Sequence, residues 1–147
     1  MKYQIKYPLV FAVSFFWLGL VIAVSFLETP LKFQVPGMTL PIALELGKTM
    51  FGISTNIQLG LMILVFFNFF LNPSKLNKFI ICTGVLLALI LVLEKFWMLP
   101  ILDARADVLT TVKGLPPTPL HNYFIYAECI KAILLLSIGF LQLKKII

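Results

Sequence analysis

A carboxylate and an ammonium three residues apart, Glu128 and Lys131, stand inside the apolar stretch HNYFIYAECIKAILLL, and a second carboxylate, Glu94, follows the apolar run FIICTGVLLALILVL. Hydrocarbon penalises a charge by ~2.5–3.5 kcal/mol on insertion scales, so such groups turn inward, find partners and mark proton, ion or substrate sites. Two acids at one depth offer a seat for a proton, a cation or a cationic small solute. Glu94 lies 16 residues beyond Lys78, and Glu128 lies 16 before Lys144. At ~1.5 Å per residue each acid sits roughly 24 Å along its helix from the lysine level. Gln58, 17 residues before Lys75, and Asn56, 19 before it, bring amides near the same layer, and Ser25, 19 beyond Lys6, reaches a similar height. His121 precedes Glu128 by seven residues, two helical turns on the same face, and would stand at the mouth of such a site.

The competing reading is structural. Glu128 and Lys131 have the i, i+3 spacing of a helical ion pair, Glu94 has Lys95 beside it, and both lysines have stems long enough to snorkel outward. Gly84, Ala88, Ala132 and Gly139 supply the small residues that let helices approach. The polar layer would then fix helix register and do no more.

Four apolar runs, at about 8–27, 42–71, 79–99 and 121–143, can carry these groups. Each is long enough to cross a hydrocarbon core of ~30 Å, and only a helix satisfies its backbone within one crossing. The expected fold is all-α: a four-transmembrane-helix bundle forming a single integral membrane domain over residues 1–147. With 61% hydrophobic residues, 12% charged and a mean hydropathy of +1.03, the chain is far from a soluble domain, where roughly a quarter of residues are charged. The first run, about 20 residues, exceeds the ~7–15 of a signal-peptide core and precedes no A-x-A-like site, so it reads as a retained crossing.

The connections differ in kind. NPSKLNK (Asn72 to Lys78) reads as a basic turn with Asn-Pro as its breaker. ETPLKFQVPGMTLP (Glu28 to Pro41) reads as an ordered loop at the opposite surface, with Pro41 suited to the first turn of the next helix. After Pro100, ILDARADVLTTVKG (Ile101 to Gly114) reads as a short interfacial helix, with Leu102, Leu109 and Val112 on one side, Asp103 and Asp107 toward water, and Gly114 as terminator. PPTP (Pro116 to Pro119) should lead extended into the last crossing.

The termini and the 72–78 turn carry Lys2, Lys6, Lys75, Lys78, Lys144 and Lys145 and no acid, whereas all six acids belong to the other half, with six bases. Setting aside Lys48, Lys95 and Lys131, which lie in or beside helices next to acids, this places both termini in the cytoplasm. The net charge of +6 flanks apolar runs and forms no stripe with interleaved polar residues, which excludes a nucleic-acid partner; membrane lipids are the expected surroundings. Cys82 and Cys129 form no CxxC pair and differ in depth by roughly 16 Å, beyond the ~7 Å Cα separation of a disulfide, so both read as inert packing residues. No His-rich cluster or Glu-x-x-His pair suggests a metal, and nothing calls for a cofactor.

The segments SFLETPLKFQVPGMTLPIALELGKTMF, LPILDARA and LHNYFIYAECIKAILL resemble those of a family of small, uncharacterised bacterial inner-membrane proteins with four predicted helices. That family pairs a Phe-[Leu/Ile]-Glu-x-Pro-x-Lys-Phe segment after the first helix with a Leu-Asp-x-Arg-Ala segment after the third. The resemblance covers the whole chain and implies location and topology, not chemistry. Its polar positions map here to Glu28, Lys32, Lys48, Asp103, Arg105, His121 and Glu128. Lys48 is a departure from the expected arginine, keeping the charge without the bidentate fork. The first five would form an outer-rim cluster above Glu94 and Glu128, with Arg105 pairing Asp103 or Glu28 as a lid.

Three function classes follow: binding or conduction of a proton, cation or small solute at the polar layer; an accessory or assembly subunit of a membrane complex; and a membrane enzyme. Four helices enclose a narrow path, so conduction calls for a homodimer or a complex partner. An enzyme needs an acid–base pair within ~3 Å reach, and His121 lies roughly 10 Å from Glu128 along the helix, so the enzyme class ranks last.

Overall fold

The computed structural model describes residues 2–73, 78–111, 116 and 118–146. Four helices, α1 (Pro8–Lys32), α2 (Leu40–Leu71), α3 (Lys78–Thr110) and α4 (Pro119–Leu141), are each long and apolar enough to cross a membrane. Their exterior is apolar too: Phe16, Ile63, Phe70, Phe96 and Ile133 are all more than half exposed. Lys75, Val112, Lys113, Gly114 and Pro117, invoked above for the basic turn and the end of the interfacial helix, lie outside the described residues, as do the side chains of Lys2, Lys144 and Lys145.

Each helix turns one stripe inward. On α3 it runs Ile80, Thr83, Gly84, Leu87, Leu91, Glu94, Met98, and on α4 it runs Leu120, Phe124, Ala127, Glu128, Lys131, Leu135, Ile138. These are the i, i+3, i+4, i+7 intervals of one helical face, so Glu94, Glu128 and Lys131 are inward by phase. Lys95, one residue from Glu94, is rotated off it. α4 packs along α1 and α3, and α1 also along α2, while α2 meets α3 chiefly over its outer part beyond Met98.

The helices extend further than the apolar runs suggest. α1 continues through Glu28 to Lys32 across a π-helical segment, Ile22–Glu28, and α3 continues through Pro100 across a second, Glu94–Met98. An interior proline lacks the N–H of the normal ladder and clashes with the carbonyl four residues back. Pro30 and Pro100 follow the π segments within two residues, and the wider turn accommodates them without a break. In α1 the Thr29 hydroxyl donates to the Val24 carbonyl at 3.1 Å. The 101–110 stretch is therefore the C-terminal end of α3, not a separate interfacial helix. Pro119 opens α4 instead of extending the preceding connection, with Thr118 as its N-cap.

The fold is not purely helical. β1 (Lys2–Ile5) and β2 (Leu143–Ile146) form a two-stranded antiparallel ribbon in register Lys2↔Ile146 to Ile5↔Leu143. It arises because α1 starts where α4 ends: the Lys6 N–H donates to the Gln142 carbonyl at 2.8 Å. Both termini therefore share one end of the bundle. Asn72, just past the end of α2, joins them there, since the Tyr7 hydroxyl donates to the Asn72 carbonyl at 2.6 Å.

Small residues set the helix approach. A Cβ on Gly139 would stand 2.8 Å from Phe15 of α1, whose ring also meets Phe140 edge-on. Gly139→Ala is expected to destabilise by about 1–3 kcal/mol, the usual cost of overpacking, read by thermal unfolding in detergent. Phe15→Leu in the same chain should recover part of the loss; no change in either variant would place the α1–α4 contact elsewhere. Cys82 and Cys129 are free and exposed, so neither packs the core as expected from the sequence.

Candidate functional site

Two apolar clusters make up the core, one built around Val10, Trp17, Val21, Leu91 and Leu135, the other around Met98, Leu99, Leu120 and Phe124. Between them lies a polar layer to which every helix contributes at least one side chain. The Lys131 ammonium, fully buried, donates to Glu128 Oε1 at 2.9 Å, to Gln58 Oε1 at 2.9 Å and to Glu94 Oε2. An ammonium has three protons, so this one is saturated. Trp17 Nε1 donates to the same Gln58 oxygen at 2.9 Å, and Gln58 Nε2 donates to Ser54 at 3.1 Å.

With both acids ionised, two carboxylates and one ammonium would leave the cluster one negative charge in excess. The charges acting on Glu94 are those of Lys131 and Glu128. Lys95, the partner expected for Glu94, instead donates to Asn56 Oδ1 at 2.8 Å on the exposed side of the bundle. Asn56 thereby drops out of the layer. The helical step explains both results, because consecutive residues on a helix face different ways. Each acid also keeps one oxygen free: Glu94 Oε1 and Glu128 Oε2 are buried and have no hydrogen-bond partner among the described residues. The remaining capacity of the site is thus for accepting hydrogen bonds and for taking up positive charge.

Glu128 lines a cavity of about 260 Å³, with His121 also in its wall and Phe124 between them on α4. Ser25, Thr29 and Pro30 of α1, Phe51 of α2 and Leu99 of α3 complete most of it. His121 is exposed and stands in the wall of this cavity and of a neighbouring one. It does not join the ion cluster. Glu94 lies behind Lys131 and does not line the cavity.

The outer-rim residues do not gather into one lid. Glu28 and Lys32 pair at 3.5 Å within α1, where Lys32 packs over Gly47 of α2. Lys48 pairs with Glu45 at 3.5 Å and with Asp107 of α3, in electrostatic reach of Asp103. Arg105 meets neither Asp103 nor Glu28: its guanidinium donates to the Pro116 carbonyl and ties the outer end of α3 to the approach to α4. The pairs of Lys48 with the exposed Glu45 and Asp107 contribute only ~0–1 kcal/mol each, whereas Lys32 is buried. No group of three His, Cys, Asp or Glu placed to hold a metal occurs among the described residues.

Trp17 and Ser54 were missed by sequence reasoning. Trp17 reads as packing or an interface anchor, yet it is buried and its N–H needs an acceptor; its place on the α1 stripe with Val13, Val21 and Val24 was the available signal. Trp17→Phe removes one of two donors to Gln58 and should cost about 1 kcal/mol. Gln58→Leu, which strands both the indole N–H and one ammonium proton, should cost roughly twice that. Thermal unfolding of both variants checks the order.

The chain matches no family model, and no curated protein or solved structure shows significant similarity to it.

Proposed function

We propose that this chain is an integral membrane protein, N- and C-termini cytoplasmic, that binds a proton exchangeable with a small cation or cationic solute at Glu128, in the outer half of the bundle. Bacterial inner membrane is the location its resemblance implies. The observation that carries the reading is the acceptor-only, negatively charged cluster of Glu94, Glu128 and Lys131 at the inner end of an apolar cavity. An unpaired charge in hydrocarbon is unfavourable, so a proton or cation at the free carboxylate oxygen restores neutrality. Conduction across the bilayer would use a second copy of the chain or a complex partner.

The saturated ammonium of Lys131 favours a second reading, an accessory or assembly subunit whose polar layer only fixes helix register. The two part on a chemical test. Dicyclohexylcarbodiimide, an apolar reagent, reacts with protonated carboxyls in apolar surroundings. In membranes it should modify Glu128, located by mass spectrometry. Modification confined to exposed acids such as Glu45 and Asp107 would favour the accessory reading.

A further inference from the structure

The ligand class can be read from the cavity wall. Apart from Glu128 and His121, the wall is dominated by apolar groups, among them Phe26, Phe51, Phe124 and Leu99. Phe26 of α1 and Ile125 of α4 both belong to this wall and are both exposed on the apolar exterior of the bundle. The cavity therefore opens sideways between the first and last helices, where lipid chains would lie. Its volume of about 260 Å³ falls just under the ~300 Å³ at which pockets for drug-sized ligands begin.

At the inner end stands Glu128, 2% exposed, with Oε2 free among the described residues. Its other oxygen is held by Lys131, which has no proton left to offer a ligand. An anion meets repulsion from the Glu128 carboxylate. An uncharged apolar molecule fills the chamber but leaves the carboxylate oxygen unpartnered in a dry site, which is costly. A hydrated inorganic ion satisfies the carboxylate and wets the aromatic wall. A protonated amine on a small apolar body does both jobs: N–H donors for Oε2, positive charge against the surplus negative one, and a body for the phenyl rings, whose faces also attract cations.

We infer that the cavity is a binding site for small lipophilic amines that enter laterally from the membrane between Phe26 and Ile125 and seat their ammonium on Glu128. This deepens the proposed function and rests on it. The ammonium takes the place a proton would occupy at the free carboxylate oxygen, so no redox or group-transfer step is involved.

The test uses the full-length protein in lipid nanodiscs, with empty nanodiscs as the blank, and calorimetric titration with 4-phenylbutylamine. Saturable binding at one amine per chain is expected, weaker for the alcohol 4-phenylbutan-1-ol and absent for 4-phenylbutyrate. Glu128→Gln should weaken the amine by at least ~30-fold, the effect of losing one buried charge-assisted contact, while Glu128→Asp retains part of the affinity. Ile125→Trp, which narrows the lateral opening, should slow or weaken binding. The amine should also protect Glu128 from dicyclohexylcarbodiimide. If Glu128 is modified by the carbodiimide but the amine shows no uptake above the blank, the lipophilic-amine assignment is overturned while proton binding stands. Absence of both modification and binding overturns both. Undiminished amine binding in a folded Glu128→Gln protein overturns the assignment as well.

Discussion

Lys131→Met should be the most damaging single substitution in the chain. Methionine keeps the unbranched length of the lysine stem and fills the same space, so the change isolates the ammonium. Without it, Glu94 and Glu128 face one another across a fully buried site, and Gln58 loses one of its two donors. Removing one partner of a buried ion pair typically costs about 3–5 kcal/mol. In a chain of this size that corresponds to a fall in unfolding temperature of roughly 10 °C or more. The variant should also be depleted from membranes. Lys95→Met, by contrast, removes a surface hydrogen bond to Asn56 and should change stability little. Equal losses for the two lysines would mean that Lys131 is not the hub.

Glu128→Gln should do the reverse: little effect on stability and a large effect on binding. Replacing this acid leaves Glu94 and Lys131 as a neutral pair, and the glutamine oxygen can still accept from the ammonium. The carboxyl group that lines the cavity loses its charge. Binding of a proton or cation from the cavity should fall at least ~30-fold, about 2 kcal/mol, and modification by dicyclohexylcarbodiimide at this position should vanish. Glu94→Gln also yields a neutral pair, but Glu94 lies away from the cavity, so its effect reaches the ligand only through Lys131. The assembly-subunit reading predicts a different pattern, in which Glu128→Gln lowers abundance through a lost partner and leaves ligand binding nothing to lose. Blue-native electrophoresis of membranes, beside titration of the purified variant, separates the two.

The placement of these groups was partly legible in the residues themselves. The four apolar runs fix helix number, because hydrocarbon leaves the backbone no alternative. Counting from flanking lysines puts Glu94, Glu128 and Gln58 at one height, and the structure brings all three onto one ammonium. Height is only one cylindrical coordinate, however. Asn56 has the right height and the wrong phase, and so has Lys95; the buried stripe of α3, from Ile80 to Met98, separates Glu94 from its neighbour. Pairing Glu94 with Lys95 hid the surplus charge, since two neutral pairs have no need of a ligand.

The helix ends were harder to read, for a physical reason. Pro30 and Pro100 argue for breaks, and whether a helix absorbs a proline depends on a π-helical widening that packing against neighbours decides. The rim charges take partners other than those the sequence suggests, since long side chains choose among several acceptors of similar energy. The terminal ribbon has four residues per strand, too short to be stable alone; it exists because α1 and α4 deliver the chain ends to the same place.

The most direct measurement is a thermal-unfolding cycle in detergent on Lys131→Met, on Glu94→Gln with Glu128→Gln, and on the triple variant. Residues that share a buried network do not contribute additively. If Lys131 holds both acids inside the bundle, the triple variant regains most of the stability lost in Lys131→Met, because no charge is left buried. Losses that simply add, with the triple variant the least stable of all, would contradict a closed cluster of the three residues.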